Sequence, residues 1–177
     1  ATVPPLKWAG GKRWQVPILE PIWDAHRHRR LVEPFCGGLA VALGLAPARA
    51  LLNDRNAHLV NFYRWLQRGL TISIPMRNAR EQYYRHRTRF NALIAGGGSE
   101  SAEAASLFYY LNRTGYNGLC RFNQKGAFNV PFGRYTRIRY TRDFRPYAAA
   151  LGGWKFTHGD LERVEIESGD FVYADPP

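Results

Sequence analysis

The sequence is short of methionine, cysteine and acid. One methionine and two cysteines, Cys36 and Cys120, occur in 177 residues. Two thiols cannot build a disulfide scaffold or a four-ligand zinc site, so no metal is expected and a reducing compartment is the default. No run of about 18 apolar residues is present, so no membrane-spanning helix and no membrane partner are expected. No charged start followed by an apolar stretch reads as a secretory signal. Acids are outnumbered: 14 Asp+Glu against 25 Lys+Arg leave a net charge of +11, which points to a polyanionic partner. The hydrophobic fraction of 45% is that of a globular chain, long enough for one domain or a core carrying an insertion.

Two glycine patterns are also missing. A P-loop needs Gly, four residues, then Gly-Lys and Ser or Thr. In Leu6-Lys7-Trp8-Ala9-Gly10-Gly11-Lys12 the glycines stand too close and Arg13 follows the lysine, so the NTPase reading fails. A dinucleotide turn needs Gly-x-Gly-x-x-Gly, whereas Phe35-Cys36-Gly37-Gly38-Leu39-Ala40 offers two adjacent glycines, which argues against a nicotinamide dehydrogenase.

What is present is unevenly spread. Between Arg113 and Arg145 lie eight basic residues and a single acid, Asp143, interleaved with seven aromatics: Tyr116, Phe122, Phe128, Phe132, Tyr135, Tyr140 and Phe144. Guanidinium groups that meet phosphates and rings that stack on bases suit a nucleic-acid surface; a solvated face over core aromatics is the plain alternative. From Asp160 to Pro177 the balance inverts to six acids and one Arg.

Along the chain, Arg30 to Phe35 reads as a buried strand ending at the Gly37-Gly38 turn, followed by a small-residue helix over 39–46. Ala50 to Asn53 is a second strand, ending at Asp54. Asn56 caps a helix whose Leu59, Phe62, Tyr63 and Leu66 recur at helical spacing. Helices are expected from Met76 to Ile94 and from Ala102 to Asn112, then loop and hairpin from Gly115 to Tyr140. Two more strands, 154–157 and 170–174, each lead to an acid, Asp160 and Asp175. The pattern is an α/β doubly wound sheet, with residues 1–55 and 150–177 as its core and 56–149 as a basic insertion.

Ligands of open α/β sheets bind at the carboxyl ends of the strands. Gly37 and Gly38 allow close approach there, Asp54 can accept from two ribose hydroxyls, and Asp160 can meet a base amino group. Trp8 and Lys12 suit a planar base and a carboxylate, or equally a core ring and a surface cation.

These blocks carry a resemblance. In order they are 6–12, 32–38 (Val-Glu-Pro-Phe-Cys-Gly-Gly), 52–56 (Leu-Asn-Asp-Arg-Asn), 110–121 (Tyr-Leu-Asn-Arg-Thr-Gly-Tyr-Asn-Gly-Leu-Cys-Arg), 128–135 (Phe-Asn-Val-Pro-Phe-Gly-Arg-Tyr) and Asp175-Pro176-Pro177. The chain resembles the Dam-type DNA adenine methyltransferases, which methylate the exocyclic amine of adenine with S-adenosylmethionine. The resemblance implies a Rossmann-like methyltransferase sheet and places Trp8, Ala9, Gly10, Gly11, Lys12, Phe35, Gly37, Gly38, Asp54, Asp160, Leu161 and Asp175 around the cofactor. It gives Asp175, Pro176 and Pro177 to catalysis. Contacts to double-stranded DNA fall to Lys7, Arg113, Tyr116, Asn117, Leu119, Arg121, Pro131, Arg134 and Tyr135, with GATC the usual site of the family. By the same resemblance the insertion is a target recognition domain, Arg121 reads guanine, and Tyr116 fills or props the base stack when the adenine leaves it. A cytoplasmic, nucleoid-associated protein of bacterial or phage origin is implied.

Three departures stand out. Leu39 occupies the place of a second glycine in many relatives, and Leu161 that of a common aromatic. The family tetrapeptide Asp-Pro-Pro-Tyr lacks its tyrosine, and only four parallel strands are readable. The expectation is therefore an incomplete methyltransferase that continues, pairs with a second polypeptide, or is a fragment. A non-catalytic DNA-binding module and an RNA methyltransferase on the same sheet are the competing readings.

Overall fold

The computed structural model describes residues 2–177. Four strands, β1 (Leu31–Glu33), β2 (Ala50–Asp54), β3 (Trp154–His158) and β4 (Phe171–Val172), form one sheet in the order β3-β2-β1-β4, with every pairing parallel. Leu31, Val32, Leu51 and Leu52 are all buried although successive side chains point to opposite faces. Apolar runs without alternation are what a parallel sheet covered on both faces requires.

Six helices lie among the described residues: α1 (Val16–Asp24), α2 (Ala40–Leu45), α3 (Ala57–Gln67), α4 (Arg80–Ala95), α5 (Ala102–Thr114) and α6 (Arg145–Leu151). α1 packs on α2, while α3 packs on β2, β3, α5 and α6. Asn56 starts α3 as expected, its Oδ1 accepting from the His58 and Leu59 N–H groups, and Ser101 caps α5 through the Ala104 N–H. Leu59, Phe62, Tyr63 and Leu66 are fully buried. Phe62 stacks on Tyr109 and meets Phe144 edge-on, which joins the sheet layer to the helical insertion.

Several boundaries differ from expectation. α4 begins at Arg80 instead of Met76: Ala79 is extended, and the carbonyls ahead of it are taken by tyrosines, Tyr140 donating to that of Met76 and Tyr110 to that of Arg77 (2.7 Å). β1 and β4 are shorter than the expected strands, and β3 is one residue longer. α1 and α6 had no sequence signal. Pro17 and Pro21 disguise α1, where Pro17 occupies the first turn, in which N–H groups lack partners, and Pro21 lies inside the helix. The expected hairpin exists in reduced form, with antiparallel bridges Phe122↔Phe128 and Gly115↔Phe132.

Two polar links set the strand ends. Asn53, buried at the end of β2, donates to the Pro34 and Gly159 carbonyls (3.1 and 2.9 Å) and accepts from the Thr157 hydroxyl, which ties the carboxyl ends of β1, β2 and β3 together. At the opposite end, Arg30 grips Asp170 through two nitrogens (3.0 and 2.7 Å) and fixes β4 beside β1. That pairing holds the Asp170 carboxyl below its ordinary range.

Candidate functional site

A cleft of about 370 Å³ opens at the carboxyl ends of β1, β2 and β4. It gathers four segments distant in sequence: Trp8 to Lys12, Phe35 to Gly38, Asp54 with Arg55, and Asp175 to Pro177. Ten of the twelve residues expected around a cofactor line it. Asp160 and Leu161 do not. Asp160 starts a short 3-10 turn, where its carboxylate is drawn to Arg55 (2.9 Å), and Leu161 is exposed.

Each wall has a local cause. The Gly37-Gly38 turn is pressed against Trp8: a Cβ on Gly38 would meet the Trp8 Cβ at 2.8 Å, and one on Gly37 would meet Nε1 at 3.1 Å. Gly37 is also left-handed, at φ +45°. Leu39, where the resemblance leads one to expect a second glycine, adopts φ 63° and is fully buried. The left-handed backbone explains why glycine suits the position. Tyr63 of α3 donates to the Gly37 carbonyl (2.6 Å), and burial raises its phenol pKa well above the ordinary value.

Asp54 holds the turn from the other side. One carboxylate oxygen accepts from the Gly37 N–H (3.1 Å), the other from the Asn56 N–H (2.9 Å). An ionised carboxylate has about four acceptor sites, so each oxygen keeps capacity for a ligand hydroxyl. Across the cleft Lys12 pairs with Asp175 at 2.7 Å, joining the first and last segments of the site.

The sequence reading missed Glu33, Cys36, Ala40, Val41, Arg55 and Tyr173, which also line the cleft. Glu33 is the most informative. It is 2% exposed, its Oε1 has no hydrogen-bond partner, and its pKa is pushed up to about 8, by burial first and then by the charge of Asp175. A charged residue ending an otherwise apolar strand, within the quoted 32–38 block, was the available signal. Burial also pushes the Cys36 thiol up.

The nine residues expected to meet DNA lie apart from the cleft lining. Lys7 precedes Trp8, and the rest belong to the end of α5 and the following turn and hairpin. Tyr116, Asn117, Leu119, Arg121, Pro131 and Arg134 are exposed. Tyr116 and Leu119 stand 50% and 38% open, on either side of the buried Gly118. Arg113, Tyr135 and Lys7 are half-buried and brace one another: the Lys7 ammonium lies 3.7 Å from the centre of the Tyr135 ring and donates to the Arg113 carbonyl (3.4 Å). Arg121 donates to Asn129 Oδ1 (2.9 Å), which holds its guanidinium along the hairpin. No group of His, Cys, Asp and Glu able to hold a metal occurs among the described residues, and no described helix is long and apolar enough to cross a membrane.

Comparison with known proteins shows the family. Residues 8–177 match the family model described as D12 class N6 adenine-specific DNA methyltransferase. The chain is 41% identical to the DNA adenine methylase of Escherichia coli K12, over 97% of its own length and 63% of the relative's. It is 37% identical to the DNA N-6-adenine-methyltransferase of Escherichia phage P1, covering 23% of that protein. It is 34% identical to the type II methyltransferase M1.LlaDCHI of Lactococcus lactis, covering 65%. The chain thus spans less than two thirds of the length of these relatives. With the matched region reaching from the Trp8 segment to Asp175-Pro176-Pro177, the chain belongs to the D12 class of N6 adenine-specific DNA methyltransferases.

Proposed function

We propose that the cleft binds S-adenosylmethionine and that the protein methylates the exocyclic amine of a flipped adenine in double-stranded DNA, at GATC sites. The observation that carries this reading is the convergence of Trp8–Lys12, Gly37–Gly38, Asp54 and Asp175–Pro177 on one cleft, with the exposed turn 116–121 and the basic hairpin outside it. In this reading residues 1–55 and 150–177 form the core of a doubly wound methyltransferase sheet and 56–149 the recognition domain, with α3 as their shared wall. A DNA substrate would place the protein in the cytoplasm, at the nucleoid, of a bacterium or a phage-infected cell.

The cleft fits such a cofactor chemically. Glu33 presents a buried carboxyl oxygen without a partner, and the positively charged methionine end of the molecule supplies one. Asp54 retains acceptor capacity for the ribose hydroxyls, and Trp8 offers a ring beside the glycine turn. When bound, S-adenosylmethionine supplies a methyl group on a sulfonium, a good leaving group.

The residues of the chain then act on the amine. The adenine nitrogen is a poor nucleophile because its lone pair is delocalised into the ring. Asp175 and the Pro176 carbonyl accept its two hydrogens, which concentrates the lone pair on the nitrogen. Once the amine had accepted the methyl group, Asp175 would take up its surplus proton. Positioning supplies most of the acceleration. Lys12 fixes the Asp175 carboxylate from one side, which leaves acceptor capacity free for the amine. Outside the cleft, Arg121 reads a guanine and Tyr116 occupies the gap left by the flipped base.

The test is transfer of labelled methyl from S-adenosylmethionine to a GATC duplex, with a duplex lacking GATC as control. Methyladenine appearing only in the GATC duplex is the expected result. Salt-sensitive binding to both duplexes without transfer would reduce the protein to a DNA-binding module. Preference for structured RNA over the duplex would favour the RNA methyltransferase reading.

A further inference from the structure

The cleft and the DNA-reading turn meet at one buried amide. Asn112, near the end of α5, is 3% exposed and clasps the backbone of Lys7 at both groups: the Lys7 N–H donates to Oδ1 (2.9 Å), and Nδ2 donates to the Lys7 carbonyl (2.7 Å). The same Nδ2 reaches the Gly118 carbonyl (3.4 Å). Only a side chain with one acceptor and one donor amide group can do this, and the orientation is fixed because the Lys7 N–H can only donate. Gly118 sits directly on Lys7. It is left-handed, at φ +61°, and a Cβ there would meet the Lys7 Cβ at 2.5 Å.

Each neighbour of this amide leads to one of the two sites. Lys7 is followed by Trp8, which stands on the Gly37-Gly38 turn and begins the cleft wall running to Lys12. Gly118 closes the turn that exposes Tyr116 and Asn117. A second link brackets the same turn, where Asn56, bonded through its N–H to Asp54, donates its Nδ2 to Cys120 Sγ (3.2 Å). Ordering residues 8–12 against a ligand therefore also orders the Lys7 peptide, and Asn112 passes that order to the turn.

We propose that Asn112 is a positioning residue that couples the two sites, so that cofactor and cognate DNA each tighten the binding of the other. This rests on the methyltransferase reading above. Coupling of this kind usually amounts to 5–150-fold and is reciprocal.

Asn91 provides an internal control. It clasps another residue of the hairpin in the same way, accepting from the Phe128 N–H (2.8 Å) and donating to the Phe128 carbonyl (3.0 Å), with no bond to the Lys7 segment. If Asn112 only held the fold together, removing either clasp would have the same consequence.

The experiment measures the affinity of the full protein for S-adenosylhomocysteine, with and without a GATC duplex, in the unsubstituted protein, Asn112→Ala and Asn91→Ala. The unsubstituted protein is expected to bind at least ~5-fold tighter with the duplex. Asn112→Ala should keep its DNA-free affinity within about 3-fold while the coupling ratio falls toward one; Asn91→Ala should keep the ratio within about 2-fold. Equal loss in both variants, or full coupling in Asn112→Ala, overturns the inference. Should Asn112→Ala lose cooperative melting, Asn112→Leu, which keeps the side-chain volume and removes the bonds, takes its place. Loss of melting in that variant as well would assign Asn112 to the fold and overturn the proposal. An unsubstituted protein that fails to bind S-adenosylhomocysteine at all would instead sink the methyltransferase reading.

Discussion

The cleft and the hairpin treat charge in opposite ways. Around the cleft and along β4, Asp160, Asp170 and Asp175 each pair with a cation from the first third of the chain: Arg55, Arg30 and Lys12. In the hairpin, Arg121, Lys125, Arg134, Arg137 and Arg139 make no ion pair among the described residues. The excess of +11 is thus concentrated where acids are missing. Pairing fixes geometry, which a reacting centre needs, whereas unpaired cations keep their attraction for phosphate and release counterions on binding. On the proposed reading, one region is organised before its ligand arrives, and the other is completed by it.

Removing one residue from each region has the largest expected effect. If the proposed function holds, Asp175→Ala should lower methyl transfer by at least about 10²-fold while the protein still binds a GATC duplex, because on that reading the lost acceptor acts on the reacting amine. Arg121→Ala should leave S-adenosylhomocysteine binding intact and lower discrimination of GATC from a duplex altered at the guanine it reads by about 1–3 kcal/mol. Transfer rates under single turnover and competition binding separate the two. If Asp175→Ala lost DNA binding and kept the rate, or Arg121→Ala lost the cofactor, the division of labour would be wrong.

The same division governs what the sequence could reveal. The glycine turn, Asp54 and the 175–177 tripeptide were legible because strand ends in an α/β sheet converge, so local patterns at successive strand ends predict a common site. Glu33 was not read, because a glutamate in a strand looks like an edge residue until the helices on both faces are known to bury it. Asp160 was read from the same logic, yet it lies outside the cleft lining, beside an arginine one residue past Asp54. α1 escaped because two prolines mimic a loop, and α4 was placed too early because tyrosines from elsewhere in the chain take the carbonyls of Met76 and Arg77. In each miss a distant contact overrode a local preference.

Glu33 supplies a subtler test through protons. Its folded pKa of about 8 lies above the ordinary carboxylate value of 4.5, so the fold favours the neutral form. Its contribution to stability is complete below the ordinary value and is lost as pH rises through about 8. Melting temperature without cofactor should therefore decline between about pH 4.5 and 8 and level off above, and Glu33→Gln should flatten that decline. A cationic ligand end favours the ionised form, so cofactor binding near pH 7 should release a proton that calorimetry in buffers of different ionisation enthalpy detects. No release, or the same release from Glu33→Gln, would remove the cation from beside this carboxyl.

The smallest effect is expected at Arg55 and Asp160, whose side chains are 77% and 65% exposed. Exposed pairs contribute at most about 1 kcal/mol, because water screens them and two long side chains lose freedom in meeting. Arg55→Ala should barely move the melting temperature. Its value lies in what it frees, since Asp160 no longer has a cation holding it beside β2. If Asp160 serves the adenine of the cofactor, as the resemblance implies, freeing it should leave affinity for S-adenosylhomocysteine unchanged or up to about 3-fold tighter, and adding Asp160→Ala should then weaken it. Equal affinity in Arg55→Ala and in the double variant would show that Asp160 takes no part, and would leave Asp54, Glu33 and Trp8 to hold the cofactor.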